Sequence, residues 1–484
     1  MLFSSPIFLF LFLPVVLSCY LLCPGLRLKN LWLLGVSVVF YACGEAAFVF
    51  LILGSTLANY ALGLWLDRAT GPARRKRVVG AAIILNLGLL AFFKYFNFVV
   101  ENLNGCLGAL KLGLVHPAPV HQPIGISFFT FHALSYIIDI YRRKGRAARD
   151  PADVALYIFF FPQLIAGPIL RWSAMAPQIA RRFVTRDGFA EGIRRFIYGF
   201  AKKMLIANVV AVPASKIFSL PVAELSPALA WFGALCYTLQ IYYDFSGYSE
   251  MAVGLGKMFG FTFMENFDHP YVSQSIKEFW RRWHISLSTW FRDYLYFPLG
   301  GNRCSALRNG FNLVTVFFLC GLWHGASWTF VIWGLFHGFF LILERTRFGS
   351  FVAARSRPLR HLYALVVVMT GWVLFRADNL SQSLAFLSYM SGLRPATVLS
   401  QLLRMHLTNQ VACAVLAGIV FSMPVGPWLG QFRGQLAPRL PARLKPAFLC
   451  AGLVAEPLLL IALLIVSAVW LAGGTYNPFI YFRF

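Results

Sequence analysis

Charge is what this sequence has least of: 13% of its 484 residues are Asp, Glu, Lys or Arg, about half the ~25% of an ordinary soluble domain. So little charge cannot cover a water-facing surface. With 59% hydrophobic residues and a mean hydropathy of +0.67, a soluble protein is excluded. Acidic residues are scarcer still, 18 against 43 Lys and Arg, for a net charge of +25. In a soluble protein that excess would point to nucleic acid. Here it sits in short tracts between apolar runs, as in Arg74-Arg75-Lys76-Arg77, Arg142-Arg143-Lys144 and Arg355 to Arg360, where cytoplasmic loops of membrane proteins collect it. Anionic lipid headgroups, not nucleic acid, are the partner these tracts predict.

Several chemistries are missing with their motifs. The nine cysteines form no C-x-x-C pair, and Cys43, Cys236, Cys320, Cys413 and Cys450 lie in apolar runs, so neither a disulfide framework nor a metal site is predicted. No H-E-x-x-H, G-x-S-x-G or P-loop occurs, which removes zinc proteases, elbow-type serine hydrolases and phosphate-loop ATPases. Gly254, Gly256 and Gly260 do not make G-x-G-x-x-G, so no dinucleotide site is expected. The first residues carry no basic n-region, so the opening apolar run is expected to be a retained helix.

What is present is a succession of apolar runs, near 2–22, 46–66, 78–99, 123–141, 152–170, 228–248, 311–343, 359–375, 408–429 and 447–473. About 20 apolar residues cross a bilayer, so the chain is expected to be all-α and polytopic, a single domain over 1–484 with roughly ten or eleven crossings. Leu31 to Cys43 is too short for a clear span and is expected to be re-entrant. Two segments look amphipathic and interfacial. One runs from Phe189 to Met204 with Arg195 and Lys202 opposite its apolar face. The other carries Ile276, Phe279, Trp280, Trp283, Leu287, Trp290, Phe291 and Tyr294 at helical spacing, with Glu278 placed to pair with Arg282. The basic, Pro-rich stretch 424–446 is expected to be a loop.

An ionisable group at membrane depth is costly and so marks function. His324, in Gly321-Leu322-Trp323-His324-Gly325-Ala326, is the first such candidate. A buried imidazole stays neutral because the dry interior disfavours its charged form, which leaves one nitrogen free to act as a base; hydrogen bonding to a neighbouring helix is the equal alternative. His284 shares the apolar stripe and should point inward, to orient that segment or to touch substrate. Arg281 and Arg282, with Arg292, Arg303 and Arg308, could meet phosphates of a nucleotide-bearing donor or lipid headgroups; Trp283 and Trp323 stand beside the histidines and join the candidate donor site. Asp244 and Glu250 are candidates for proton relay or orientation, or mark the wet end of a helix. His132, His337, Lys94 and Asp139 are expected to be structural. A transporter and a membrane transferase both fit these residues.

Five stretches carry a resemblance that chooses: Pro123-Ile124-Gly125-Ile126-Ser127-Phe128, Ile165-Ala166-Gly167-Pro168, Tyr243 to Ser249, Glu278 to Ser286 and Gly321 to Gly325. In these the chain resembles the membrane-bound O-acyltransferase (MBOAT) family, in the branch that serves acetylation of alginate and cellulose, and the likeness runs from Phe3-Ser4-Ser5 to the Pro478–Phe482 tail. The resemblance implies a helical barrel around a transmembrane tunnel, with the catalytic motifs in 266–345, the family's catalytic histidine at His324 and its second motif histidine at His284. It further implies no tightly bound cofactor, acetyl-CoA as cytoplasmic donor, periplasmic O-acetylation proteins as partners and a place in the bacterial inner membrane. Alginate is the first acceptor expected, with cellulose or another exopolysaccharide as the alternative. A non-catalytic transporter of an acylated intermediate, or a scaffold, remain the rival readings: the transporter predicts vectorial movement and no chemistry, the scaffold dispensable histidines.

Overall fold

A computed structural model describes residues 1–394, 401–441, 443, 445–474 and 476–478. The side chain of Cys450 and the Phe479–Phe482 part of the tail lie outside the described residues. Every regular element among those described is helical, as a bilayer requires, because backbone groups find no water there and a helix satisfies them internally. Seven helices are long and apolar enough to cross a membrane, and the bent pair Asn409–Phe421 and Val425–Arg439 makes an eighth if it is one span. Three shorter apolar helices accompany them, Phe8–Leu22, Ile126–Tyr141 and Trp328–Leu343. Large side chains such as Phe50, Ile84 and Val469 lie uncovered on the outside, while Trp333, Trp372, Tyr136 and Tyr243 are fully buried. The all-α polytopic architecture is the one expected.

Several boundaries differ from the sequence expectation, each for a physical reason. Leu31 to Cys43 is not re-entrant; it lies within the candidate span Leu26–Glu45, whose polar first turn dilutes the apolar pattern. The Phe189–Met204 segment is not interfacial, because it belongs to the mostly buried candidate span Arg186–Phe218. Its polar face is neutralised by charge pairing: Arg195 meets Glu250 at 2.7 Å and also pairs with Glu265, and Lys202 meets Glu250 at 3.5 Å. The 152–170 run is not one span but a helix Pro151–Phe159 followed by a single turn, Phe161–Leu164. The 311–343 run is two helices, Ala306–His324 and Trp328–Leu343, and the stripe around His284 is also two, Ile276–Arg282 and Ile285–Phe291. Part of the expected 424–446 loop is the helix Val425–Leu436.

Glycines set one close helix contact. A Cβ on Gly192 or Gly254 would fall 2.7 or 2.6 Å from the other's carbonyl oxygen, and Gly199 and Gly247 repeat the relation at 2.5 and 2.7 Å. Residues of no size on both helices let the Arg186–Phe218 and Pro227–Met258 backbones touch, as membrane helices do where small residues meet.

Two of the basic tracts, Arg74–Arg77 and Arg142–Lys144, meet at one end of the molecule. Arg75 donates to the carbonyls of Ile140 and Tyr141 at 3.1 Å each, and Arg142 to Asp293 O at 2.8 Å. Arg171 pairs with the Asp293 carboxylate at 2.7 Å. The link 110–125, at the far end of helices Pro72–Ala109 and Ile126–Tyr141, holds one Lys and no Arg.

Candidate active site

His324 is the last residue of its helix, and the chain turns back at once. The hairpin is tight because Gly321 and Gly334 let backbones meet: a Cβ there would lie 2.3 Å from Phe330 O or 2.2 Å from Phe317 O. The His324 ring is edge-on to Trp333 at 5.0 Å and Phe375 at 5.2 Å. Only 6% of the residue is exposed. That remaining exposure faces a cavity of about 350 Å³ lined by Glu45, Lys94, His121, Gln122, Ser127, Trp323 and His324 among others. The Pro123 to Phe128 stretch singled out in the sequence forms one wall. At the rim, exposed His121 meets Glu45 at 3.1 Å.

His284 enters from a separate segment and reaches the same indole. The Trp323 ring lies 4.9 Å from the His324 ring and 6.0 Å from the His284 ring. His284 breaks its helix with a left-handed backbone, φ 44°, an unusual conformation for a non-glycine residue. The turns on either side hold it there. Ser275 Oγ accepts from Glu278 N at 3.0 Å while the Glu278 carboxylate accepts from Gln274 N at 2.9 Å, a reciprocal cap. Glu344 takes the next two amides, Ile276 N at 2.6 Å and Lys277 N at 3.0 Å. After the break, Ile285 N donates to Asn266 O at 2.9 Å.

Asn266, which the sequence did not point to, decides the chemical state of His284. Its Oδ1 accepts from Ser286 N at 3.2 Å, from Ser286 Oγ at 2.9 Å and faces His284 Nδ1 at 3.1 Å, while its Nδ2 donates to Ser249 Oγ at 2.9 Å. A backbone N–H can only donate, so the atom it meets is the amide oxygen, and Nδ1 must carry the imidazole proton. Nε2 of the neutral ring then holds the lone pair. It has no hydrogen-bond partner among the described residues. Asn266 leaves no periodic signal because it sits in an irregular segment remote in sequence from His284.

The other candidates divide. Trp283 is buried against Trp372, Phe267 and Phe279, with centroids 4.8 to 5.5 Å away, one layer behind His284. Arg282 is engaged by Glu278 at 3.0 Å and Asp268 at 2.9 Å, whereas Arg281 is exposed. Asp244 forms a buried ion pair with Lys203 at 2.6 Å, and Glu250 binds Arg195 and Lys202, so both acids join the two glycine-paired helices. Asp139 accepts from Tyr294 Oη at 2.7 Å and Ser173 N at 3.0 Å. His132 and His337 are fully buried, with neither ring nitrogen hydrogen-bonded among the described residues. Among those residues no group of three His, Cys, Asp or Glu is arranged to hold a metal ion.

Comparison with known proteins bears on this arrangement. The family model for MBOAT, the membrane-bound O-acyltransferase family, matches residues 126–387. The chain is 42% identical to the "Probable alginate O-acetylase AlgI" of Azotobacter vinelandii and 44% identical to the protein of the same name from Pseudomonas putida, each over 100% of both chains. It is 36% identical to the "Peptidoglycan O-acetyltransferase" of Helicobacter pylori, over 81% of this chain and 80% of that one.

Proposed function

The chain belongs to the membrane-bound O-acyltransferase family, and from that premise we propose that it takes acetyl from acetyl-CoA on the cytoplasmic side. The acetyl passes to a hydroxyl that enters from the far side of the bacterial inner membrane, for O-acetylation of an exopolysaccharide. The observation that carries this proposal is His324 in the wall of a cavity of about 350 Å³, a size suited to one small group rather than a polymer. Orientation follows from charge. Short loops rich in Lys and Arg stay in the cytoplasm, so the end with Arg74–Arg77 and Arg142–Lys144 faces inward, and the cavity, rimmed by the 110–125 link, opens outward.

The chemistry follows from the two imidazoles. The acceptor oxygen attacks the thioester carbonyl while His324 takes its proton, a general-base contribution of about 10² to 10⁴ in rate. The tetrahedral intermediate then collapses, and the leaving thiolate recovers that proton from His324. His284 has a lone pair at Nε2, so it accepts a hydrogen bond from a second donor beside the attacking oxygen, a neighbouring hydroxyl or a water, and orients the acceptor through it, since the attacking hydroxyl's single proton goes to His324. His284 cannot polarise a carbonyl in this tautomer. Arg281 is exposed and is assigned to the donor's phosphates, and Trp323 lies against both rings. The hydroxyl belongs to the glycan or to a periplasmic partner that forwards the acetyl group.

The names of the full-length relatives favour alginate as the polymer. Cellulose or another exopolysaccharide would need the same chemistry, and the peptidoglycan relative is a case in which the acceptor differs. The test is the acetyl-ester signal of secreted polysaccharide from cells carrying wild-type or His324→Ala protein at equal membrane levels. Loss supports His324 as the base and identifies the glycan; full acetylation with folded His324→Ala returns the protein to a transporter or scaffold.

A further inference from the structure

We propose that Lys94 is the positioning residue of this reaction centre. Its ammonium group fixes the peptide that carries His324 and keeps positive charge in the cavity wall where the acyl carbonyl oxygen becomes negative. The proposal rests on His324 acting as the base.

Lys94 lies in the middle of the Pro72–Ala109 helix, is 5% exposed and lines the same cavity as His324. A lysine at membrane depth is expensive and persists only where its three protons find acceptors. Here they do. Nζ donates to Ser127 Oγ at 3.3 Å, to His324 O at 3.2 Å and to Trp323 O. The two carbonyls are orphans at the end of the Ala306–His324 helix, and that end carries the negative pole of the helix dipole. The adjacent carbonyl is claimed as well, since Tyr95 Oη donates to Leu322 O at 2.6 Å. Consecutive residues of one helix therefore tie down three successive peptides leading to His324.

A neutral donor would be enough to cap carbonyls, and the cavity could supply water for that task. A cation adds something a cap does not need. When a hydroxyl attacks a thioester, negative charge moves onto the carbonyl oxygen, and a preorganised positive group in a water-poor site lowers that barrier. Lys94 supplies it from the wall that also presents the base, while Ser127, from the Pro123–Phe128 wall, fixes the ammonium from the other side.

The test uses the full chain in cells that secrete the polysaccharide, measuring the initial rate of acetyl-ester accumulation after induction. Lys94→Met, Lys94→Arg, Ser127→Ala and His324→Ala are compared at matched membrane levels and melting midpoints. Lys94→Met should lower the rate about 100-fold, the loss expected when a base moves by about 1 Å. Lys94→Arg, which restores charge and donors, should recover most of it, and Ser127→Ala should fall between wild type and Lys94→Met. Lys94→Met at the wild-type rate, or Lys94→Arg as inactive as Lys94→Met, overturns the proposal. If Lys94→Met does not accumulate, the other two variants decide, and Ser127→Ala at the wild-type rate overturns it. Acetylation retained in His324→Ala would instead refute the assignment of the base.

Discussion

Replacing Asn266 would reveal whether one buried amide decides what His284 can do. Asn266→Ala removes four hydrogen bonds, two to Ser286 and one each to His284 and Ser249. At about 0.6 to 1 kcal/mol each, that costs roughly 2 to 4 kcal/mol of stability. Freed of its partner, the imidazole can carry its proton on either nitrogen, and where Nε2 is protonated the neighbouring hydroxyl or water that orients the acceptor meets a donor instead of a lone pair. Loss of tautomer alone is a modest effect, since both forms of a free ring are populated. Loss of orientation is larger: a shift of about 1 Å in a reacting group costs about 100-fold. Asn266→Asp keeps acceptor oxygens facing Nδ1 and Ser286 N with nearly the same shape, so it should retain most of the rate while giving up the donor to Ser249. The assay is acetyl-ester formation at matched amounts of folded protein. Wild-type activity in folded Asn266→Ala, or equal inactivity in Asn266→Asp, would refute the tautomer lock.

Three further outcomes follow from the geometry. Arg281→Gln should raise KM for acetyl-CoA without changing the melting midpoint, while Arg282→Gln, which loses two partly exposed ion pairs, should cost up to about 1 kcal/mol of stability; the reverse pattern would exchange their roles. Gly199→Val would place a branched side chain where even a Cβ falls 2.5 Å from Gly247 O, so a loss of about 3 kcal/mol or more is expected, and an unchanged melting midpoint would contradict the backbone contact. Partial burial would push the Asp293 carboxyl up, but the hydrogen bond from Arg292 and the charge of Arg171 outweigh it and hold it below the ordinary carboxylate range. A carboxyl held low in the fold adds stability that is present above its unfolded value of about 3.9 and lost as pH falls through the folded value. The melting difference between wild type and Asp293→Asn should therefore shrink below about pH 4, and a constant difference down to that range and beyond would count against the pairing.

Scarcity of charge and long apolar runs are enough to establish a polytopic helical membrane protein, since transfer energies act on composition before any tertiary contact forms. The two histidines were legible for the same reason: an imidazole in an apolar run is conspicuous, and the stretches around His284 and His324 carry the family resemblance. Position within the fold was not legible. The Phe189–Met204 helix looked interfacial because Arg195 and Lys202 lie on one face, and only the acids of other segments, Glu250 and Glu265, make that face suitable for burial. The 311–343 run looked continuous because hydropathy does not register that the chain reverses after His324, where glycines admit a touching backbone. Asn266 is an ordinary residue in an irregular stretch, and Lys94, conspicuous as a charge in the middle of a span, was expected to be structural. Their meaning comes from lone pairs and protons that meet across segments as far apart as 230 positions, and such pairings exist only once the helices have packed.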